Sequence, residues 1–473
     1  MATDITRISF QDPDGFVFSF DSKIYRLVLP TYYEDLNAIK SLGILDSPQL
    51  VKHTEIDINS FPEYVITWLS DQINTKTILI IFELDKIEFI SYPWEWTSSM
   101  LQEAAEFTLN FQSNLLEKGF TLKDASFYNI QFINGNPVFI DLLSIKVAGN
   151  KLFPWFAYGQ FLQHFVFPLI IIKYKNFDTL QFLQAYPDGI PKAEVSKHVS
   201  FSSYFSIFEI FHIHLFKRLD KDENSKADNN SIPSVDKQNL QLKNLIFFAK
   251  SYLKKVLKKQ IKKTNNWLNY YSENTVADYT SEKEKIFISF LGELENIERA
   301  VDLGANTGEY SEILLKYTPH VLSVEQDNAC CEIIRRRMPL QKVANMQWQL
   351  ICCNLLYPSP AIGWLNRERK SLIGRIQSPL VNALALIHHF YFSGNIEFIQ
   401  IAEFFCSIST RYVIVEFVDK SDDKVMLLSQ KNDARLIYYS EDDFTNAMGN
   451  FFSLIKMKRI SLTRSLFLYI KKK

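Results

Sequence analysis

Asp302-Leu-Gly-Ala-Asn-Thr-Gly308 sits between an apolar run, Ala300 to Leu303, and a helical pattern, Tyr310 to Tyr317, and 17 residues beyond Gly308 the run Val321-Leu-Ser-Val-Glu325 ends in a carboxylate. Glycines at a strand-to-helix turn let backbone approach a ligand closely, and a helix N-terminus presents free N–H groups. Working outward, strand-length runs at Trp348 to Cys353, Leu380 to Ile387 and Tyr412 to Phe417 alternate with helical patterns at Asn328 to Arg337 and Ile396 to Ile408. Alternation at this spacing predicts βαβ units and a parallel sheet covered on both faces. The ending differs: a helix, Glu441 to Phe451, precedes Phe452 to Ser461 and Ser465 to Lys471, two strands joined by so short a turn that they must be antiparallel. A P-loop needs Gly-Lys-Ser/Thr, whereas Glu309 and Tyr310 follow Gly308; a dinucleotide fingerprint needs glycines at 306 and 309, where Asn and Glu stand. The glycine loop alone is ambiguous.

With Asp302, the glycine turn, Glu325 and the terminal hairpin taken together, the segment from about Val276 to Lys473 resembles the class I S-adenosylmethionine-dependent methyltransferases. The resemblance implies an α/β fold, a doubly wound, seven-stranded Rossmann-like sheet with an antiparallel terminal hairpin. It implies that Asp302, Gly304, Ala305, Asn306 and Gly308 line the methionine and ribose portion of the cofactor, that Glu325 holds the ribose, and that Asn354 meets the adenine. Asn306 replaces the usual middle glycine and Asn354 the usual Asp. His388 and His389 are expected to end the fourth strand, at the edge where ligands of open α/β sheets lie. They are the candidate catalytic bases, on opposite faces because neighbours in a strand alternate. The loop Tyr357 to Trp364 is expected to wall the acceptor pocket. No metal is expected in this half.

In the N-terminal half, Asn134-Gly-Asn136 separates two apolar runs, a strong hairpin signal. A three-residue loop sets Asn129 across from Asp141, a two-residue loop sets it across from Ile140, and Asp124 lies just upstream. Asp, Asn five later and Asp beyond a hairpin suit a magnesium-nucleotide site. The pattern resembles the catalytic core of the protein-kinase-like and aminoglycoside-phosphotransferase superfamily, which implies a kinase-like α+β domain. In it Asp124 takes the catalytic role, Asn129 and Asp141 the metal-binding roles on Mg-ATP, and Lys23 or Arg26 in an opening hairpin, Phe16 to Leu29, the nucleotide cation. Two features depart from that pattern: Leu142-Leu143-Ser144 follows Asp141 where a glycine is usual, and no glycine-rich phosphate loop is recognisable.

The 473 residues exceed one small module, and 47% hydrophobic against 22% charged residues excludes wholesale disorder. With 52 Lys and Arg against 53 Asp and Glu the net charge is −1, so no global field draws the chain to nucleic acid. The expected organisation is a kinase-like domain at 1–217, a disordered linker at 218–236, a basic amphipathic bridging helix within 237–274, and the methyltransferase domain at 275–473. The lysine face of the helix at 238–263 is read as a solvated exterior, with a weak peripheral membrane contact as the alternative. Phe161 to Ile172 and Tyr204 to Phe216 are apolar yet too short to span a bilayer, and are expected to be buried helices. The N-terminus carries no secretory pattern, which predicts a cytoplasmic protein, and the five cysteines read as reduced core thiols. With Tyr92-Pro-Trp-Glu-Trp96, the Lys123-Asp124 segment and Pro154-Trp-Phe-Ala-Tyr158, the whole order resembles a bacterial group of two-part, nodulation-type methyltransferases. The expected function is methyl transfer to a small-molecule or glycan acceptor, with the N-terminal domain binding that acceptor or regulating. The alternatives are a bifunctional kinase-methyltransferase and a non-catalytic binding protein.

Overall fold

Phe16 and Phe18 alternate with Val17 and Ser19 along one strand, and Tyr25 and Leu27 do the same along the next, so both strands turn rings and a leucine to one side. They belong to a five-stranded antiparallel sheet: β1 (Ile5–Arg7), β2 (Gly15–Phe20), β3 (Lys23–Val28), β4 (His53–Ile56) and β5 (Ile80–Leu84), in the order β1-β2-β3-β5-β4. Helix α1 (Tyr33–Ser41) follows β3, and α2 (Glu63–Asp71) lays Val65 and Leu69 on the apolar face. The computed structural model describes residues 5–10, 12–73, 77–78, 80–149, 153–177, 179–215, 234–257, 277–338, 346–430 and 433–472.

The chain packs as two units. One comprises Met1–Ile87, Tyr92–Phe132 and Pro137–Lys263; the other comprises Glu88–Ser91, Ile133–Asn136 and Thr264–Lys473. In the first, α3 (Ser98–Glu117) starts where the Thr97 side chain accepts from Met100 N at 3.2 Å, and it buries a face from Leu101 to Leu116. Short pairings follow: β6 (Phe120–Leu122) with β9 (Ile145–Val147), and β7 (Ile130–Ile133) with β8 (Asn136–Phe139). Asn134 and Gly135 both adopt positive φ, and Ile140 N donates to Asn129 O, so the two-residue loop is the one formed. Helix α4 (Phe167–Lys175) is buried from Phe167 to Ile172, as its composition requires.

Tyr204 to Leu215 overturns its expectation. Phe208 and His212 pack inward, but Tyr204, Phe205, Ile207, Phe211 and Leu215 are all exposed, because a short helical turn, Phe201–Phe205, and the helical stretch from Ile207 to Leu215 lie at the surface with only one side covered. Helix α5 (Val235–Val256) buries Leu242, Ile246, Ala249 and Leu253 and exposes Lys237, Lys243, Lys254 and Lys255. Residues 258–263 of the expected basic helix and 218–233 of the expected linker lie outside the described residues; Val235 and Asp236 are already helical. Among the described residues no helix is long and apolar enough to cross a membrane.

The second unit contains helix α6 (Ala277–Leu291) and a seven-stranded sheet. Its strands are β10 (Arg299–Leu303), β11 (His320–Glu325), β12 (Gln347–Cys352), β13 (Ser378–Ala383), β14 (Ser409–Val418), β15 (Phe452–Ser461) and β16 (Arg464–Lys471). They lie in the order β12-β11-β10-β13-β14-β16-β15; the first five are parallel, and β16 runs antiparallel to both neighbours. This is the doubly wound sheet with a reversed terminal hairpin that the sequence predicts. Each apolar strand feeds two cores by its period of two. Val301, Leu303, Leu322, Val324, Val381 and Val413 face one side, with α9 (Phe398–Ile408) and α10 (Glu441–Met448), and Ala300, Val321, Leu350, Leu380 and Ile414 face the other. Helices α7 (Glu309–Leu314) and α8 (Asn328–Arg337) follow β10 and β11.

Candidate active site

Strand order reverses between β10 and β13, and ligands of open α/β sheets lie outside the carboxyl ends at such a point. The glycine loop stands there. Gly304 (φ +68°), Asn306 (φ +48°) and Gly308 (φ +87°) supply the left-handed turns. At Gly308 a Cβ would meet Ile334 Cγ1 at 3.0 Å and Trp348 Cζ2 at 3.2 Å, so both backbone sign and space call for glycine. Gly304 N donates to Val324 O at 2.8 Å, tying the loop to β11.

Glu325 finishes the tie. Its Oε2 accepts from Asn306 N at 2.8 Å, and its Oε1 accepts from Gln326 N and Asp327 N at 2.7 and 2.8 Å. Burial raises its pKa, and those three N–H groups oppose the rise. A carboxylate offers about four lone-pair sites, so three donors leave capacity for a further hydroxyl. Beside it the Asn306 Oδ1 is buried without a partner. A clamped glycine loop with an orphaned acceptor fits a polar cofactor that brings its own donors.

Asp302 faces elsewhere. It lies in register with Ser323 on one side and Asn382 on the other, all three on one face of the sheet. Its Oδ2 accepts from Ser311 Oγ and its Oδ1 from Asn382 Nδ2, both at 2.6 Å. Ser311 and Ser323 hydroxyls are 2.7 Å apart, and Trp348 Nε1 donates to Ser323 Oγ at 2.8 Å. Both oxygens of Asp302 thus accept from side chains inside the fold, and burial pushes its carboxyl up to about 6. Ala305 is buried as well, and Asn354 turns its Oδ1 onto Leu356 N at 2.9 Å. Farther along the sheet Glu416 is fully buried between Lys283 Nζ at 2.6 Å and Arg464 Nη1 at 3.3 Å.

His388 and His389 do not end a strand. The fourth strand stops at Ala383, Ala385 takes φ +51°, and the chain turns into a helical segment, His389–Ser393. Their rings therefore lie side by side, 4.3 Å between centroids, instead of on opposite faces. His388 is buried with Nδ1 unpartnered, and burial together with His389, Arg464 and Lys283 lowers its pKa well below the usual range; burial lowers His389 to about 4. Both are neutral at physiological pH, and neither titrates near neutrality. In the loop Tyr357 to Trp364 both terminal rings are exposed. Cys330, Cys331, Cys352 and Cys353 are buried, and burial raises the thiol pKa of Cys330 and Cys331.

In the first unit the structure joins Asn129 and Asp141 through Ser144 and sets the Asp124 backbone carbonyl beside Asn129. Asn129 Nδ2 lies 3.5 Å from Asp124 O and 3.2 Å from Ser144 Oγ, which donates to Asp141 Oδ2 at 2.5 Å. Asp141 Oδ1 accepts from Leu143 N at 3.3 Å and pairs with Arg26 Nη2 at 3.1 Å. Lys23 is elsewhere, exposed and paired with Glu83 at 2.9 Å. Asp124 Oδ1 accepts from Ser126 N at 2.8 Å. These oxygens are committed to protein donors and a guanidinium, and among the described residues no group of three His, Cys, Asp or Glu side chains could hold a metal ion. With Arg26 on its Oδ1 and Ser144 on its Oδ2, Asp141 as it stands does not fit magnesium. Asp12 and Asp14, which complete this cluster together with Lys123 of the Lys123-Asp124 segment, carry no motif that sequence reading could find, since they reach it only through folding.

No protein-family model matches the chain. It is 27% identical over 459 residues to nodulation protein NoeA of Rhizobium meliloti (strain 1021), covering 93% of this chain and 90% of that protein. Among solved structures it is similar to the N-methyltransferase NodS of Bradyrhizobium japonicum WM9, at 6% identity and a TM-score of 0.32, over 42% of this chain and 99% of that one. It is also similar to magnesium protoporphyrin IX methyltransferase (ChlM) of Synechocystis PCC 6803 with bound SAM, at 14% identity and a TM-score of 0.30, over 44% of this chain and 86% of that one.

Proposed function

We propose that the second unit is an S-adenosylmethionine-dependent methyltransferase acting on a small-molecule or glycan acceptor, and that the kinase-like first unit binds that acceptor or regulates the transfer. The observation that carries this reading is the glycine loop clamped by Glu325 at the switch point of a sheet whose seventh strand is reversed. Glu325 receives a ribose hydroxyl on its remaining lone pair, Asn306 Oδ1 accepts from a cofactor donor, and Gly304 and Gly308 keep the floor clear. Asp302 supports the loop from below through Ser311 and Asn382. When bound, the sulfonium supplies a methyl group already activated for in-line displacement. The protein's part is alignment, and of the two candidate bases only His389, the less buried ring, is open to a proton of the methyl acceptor, at a basicity that burial lowers. The kinase-like reading of the first unit is supported by its five-stranded sheet followed by the Asp124, Asn129, Asp141 cluster. The exposed lysines of α5 support a weak contact with anionic surfaces that salt weakens.

The test is calorimetry with S-adenosylmethionine. Wild type binds, and Gly304→Asp, which drives a side chain toward Leu386, does not. Absence of binding by the wild type refutes the reading. Labelled cofactor with a cell extract then identifies the acceptor.

A further inference from the structure

Arg26 is 5% exposed, and its Nε has no partner, which is an expensive way to bury a guanidinium unless the site is built around its charge. Its Nη2 pairs with Asp141 Oδ1 at 3.1 Å and, more closely, with Asp12 Oδ2. Lys123, a quarter exposed, pairs closely with Asp14 Oδ2 and lies 3.9 Å from Asp12 Oδ1. Asp12 and Asp14 come from one short loop, Ser9-Phe-Gln-Asp-Pro-Asp14, between β1 and β2. That loop is anchored: Asp14 N donates to Asp12 Oδ1 at 3.0 Å, and Leu29 N donates to Asp14 O at 2.8 Å. Two cations on separate elements thus each receive one carboxylate from the same loop.

We propose that Asp12 and Asp14 are built-in anions, occupying with their carboxylates an anion seat formed by Arg26 and Lys123 and thereby closing the first unit to Mg-ATP. A pair of cations this far apart along the chain, one of them buried, suits a phosphate chain as well as two carboxylates. In this protein the loop supplies the anions itself, and Arg26 takes the counterion place beside Asp141 that magnesium would need. The inference is independent of methyl transfer.

The full-length protein is titrated calorimetrically at low salt with inorganic triphosphate and with Mg-ATP, alongside Asp12→Asn/Asp14→Asn. The wild type is expected to bind neither. The double variant is expected to bind triphosphate at least about tenfold more tightly than the weakest binding the titration detects, by loss of two competing charges. Adding Arg26→Gln should abolish that gain. Mg-ATP binding by the wild type, no gain in the double variant, or a gain that survives Arg26→Gln each overturns the proposal. Circular dichroism checks folding. If the double variant does not fold, Asp14→Asn alone, at a partly exposed site, should still show a smaller gain that Lys123→Gln removes, and no gain there overturns it. S-adenosylhomocysteine added to the same samples reports the second unit separately, so a failure of the methyltransferase reading is told apart.

Discussion

Replacing Asp302 with Asn should make the second unit more stable at neutral pH and leave it nearly unchanged below about pH 4. The carboxyl is buried, and burial, the largest effect, raises its pKa from 3.8 to about 6 against the pull of Ser311 and Asn382. Between those values the folded chain holds a proton that the unfolded chain has released. Stability from this group is therefore fully present below about pH 4 and is lost as pH rises through 6. At 1.36 kcal/mol per pH unit, the loss is roughly 3 kcal/mol. Asn imitates the neutral acid. Its oxygen still accepts from Ser311, and its amide donates to Asn382 once that side chain turns its unpartnered Oδ1 round. Hydrogen exchange by mass spectrometry on peptides spanning β10 and β13, corrected for intrinsic rates, reads the opening free energy of this sheet alone. From pH 3.5 to 7.5 the protection of the variant relative to wild type should rise by about a hundredfold, a ratio equivalent to roughly 3 kcal/mol. A ratio that stays constant with pH, or that falls, refutes the assignment of a raised pKa to Asp302.

Phe18→Ala removes a ring packed within 5.2 Å of Tyr25 and 6.1 Å of Phe61, and should cost about 3–5 kcal/mol in urea unfolding of the first unit. Glu325→Gln sets an amide donor against backbone N–H groups; it should destabilise the second unit by about 1–3 kcal/mol and weaken cofactor binding in calorimetry. His389 should remain neutral down to about pH 5 in an NMR titration assigned with His389→Gln, because burial lowers its pKa to about 4; a midpoint near 6.5 contradicts the burial seen here.

Sequence alone determined the elements whose physics is local. The period-two apolar runs and the turn at Gly304 to Gly308 specify parallel strands and a loop that only small or left-handed residues allow, and Asn134-Gly135 specifies a tight hairpin. The candidate site was legible to the same extent: Glu325 at a strand end could be placed, and the loop it clamps could be named. Tertiary structure decided what those side chains do. Asp302 turns inward because Ser323 and Asn382 share its face at the same register, and a buried carboxylate needs donors. His388 and His389 came off the strand because Ala385 bends the chain, a local conformation that an apolar run does not announce. Tyr204 to Leu215 stayed at the surface because an apolar run carries no information about how much of it will be covered. Arg26 met Asp12 and Asp141, more than a hundred residues apart from one another, only because the sheet and the hairpin bring them together. Charge pairing over such separations is set by topology, which local sequence patterns do not encode.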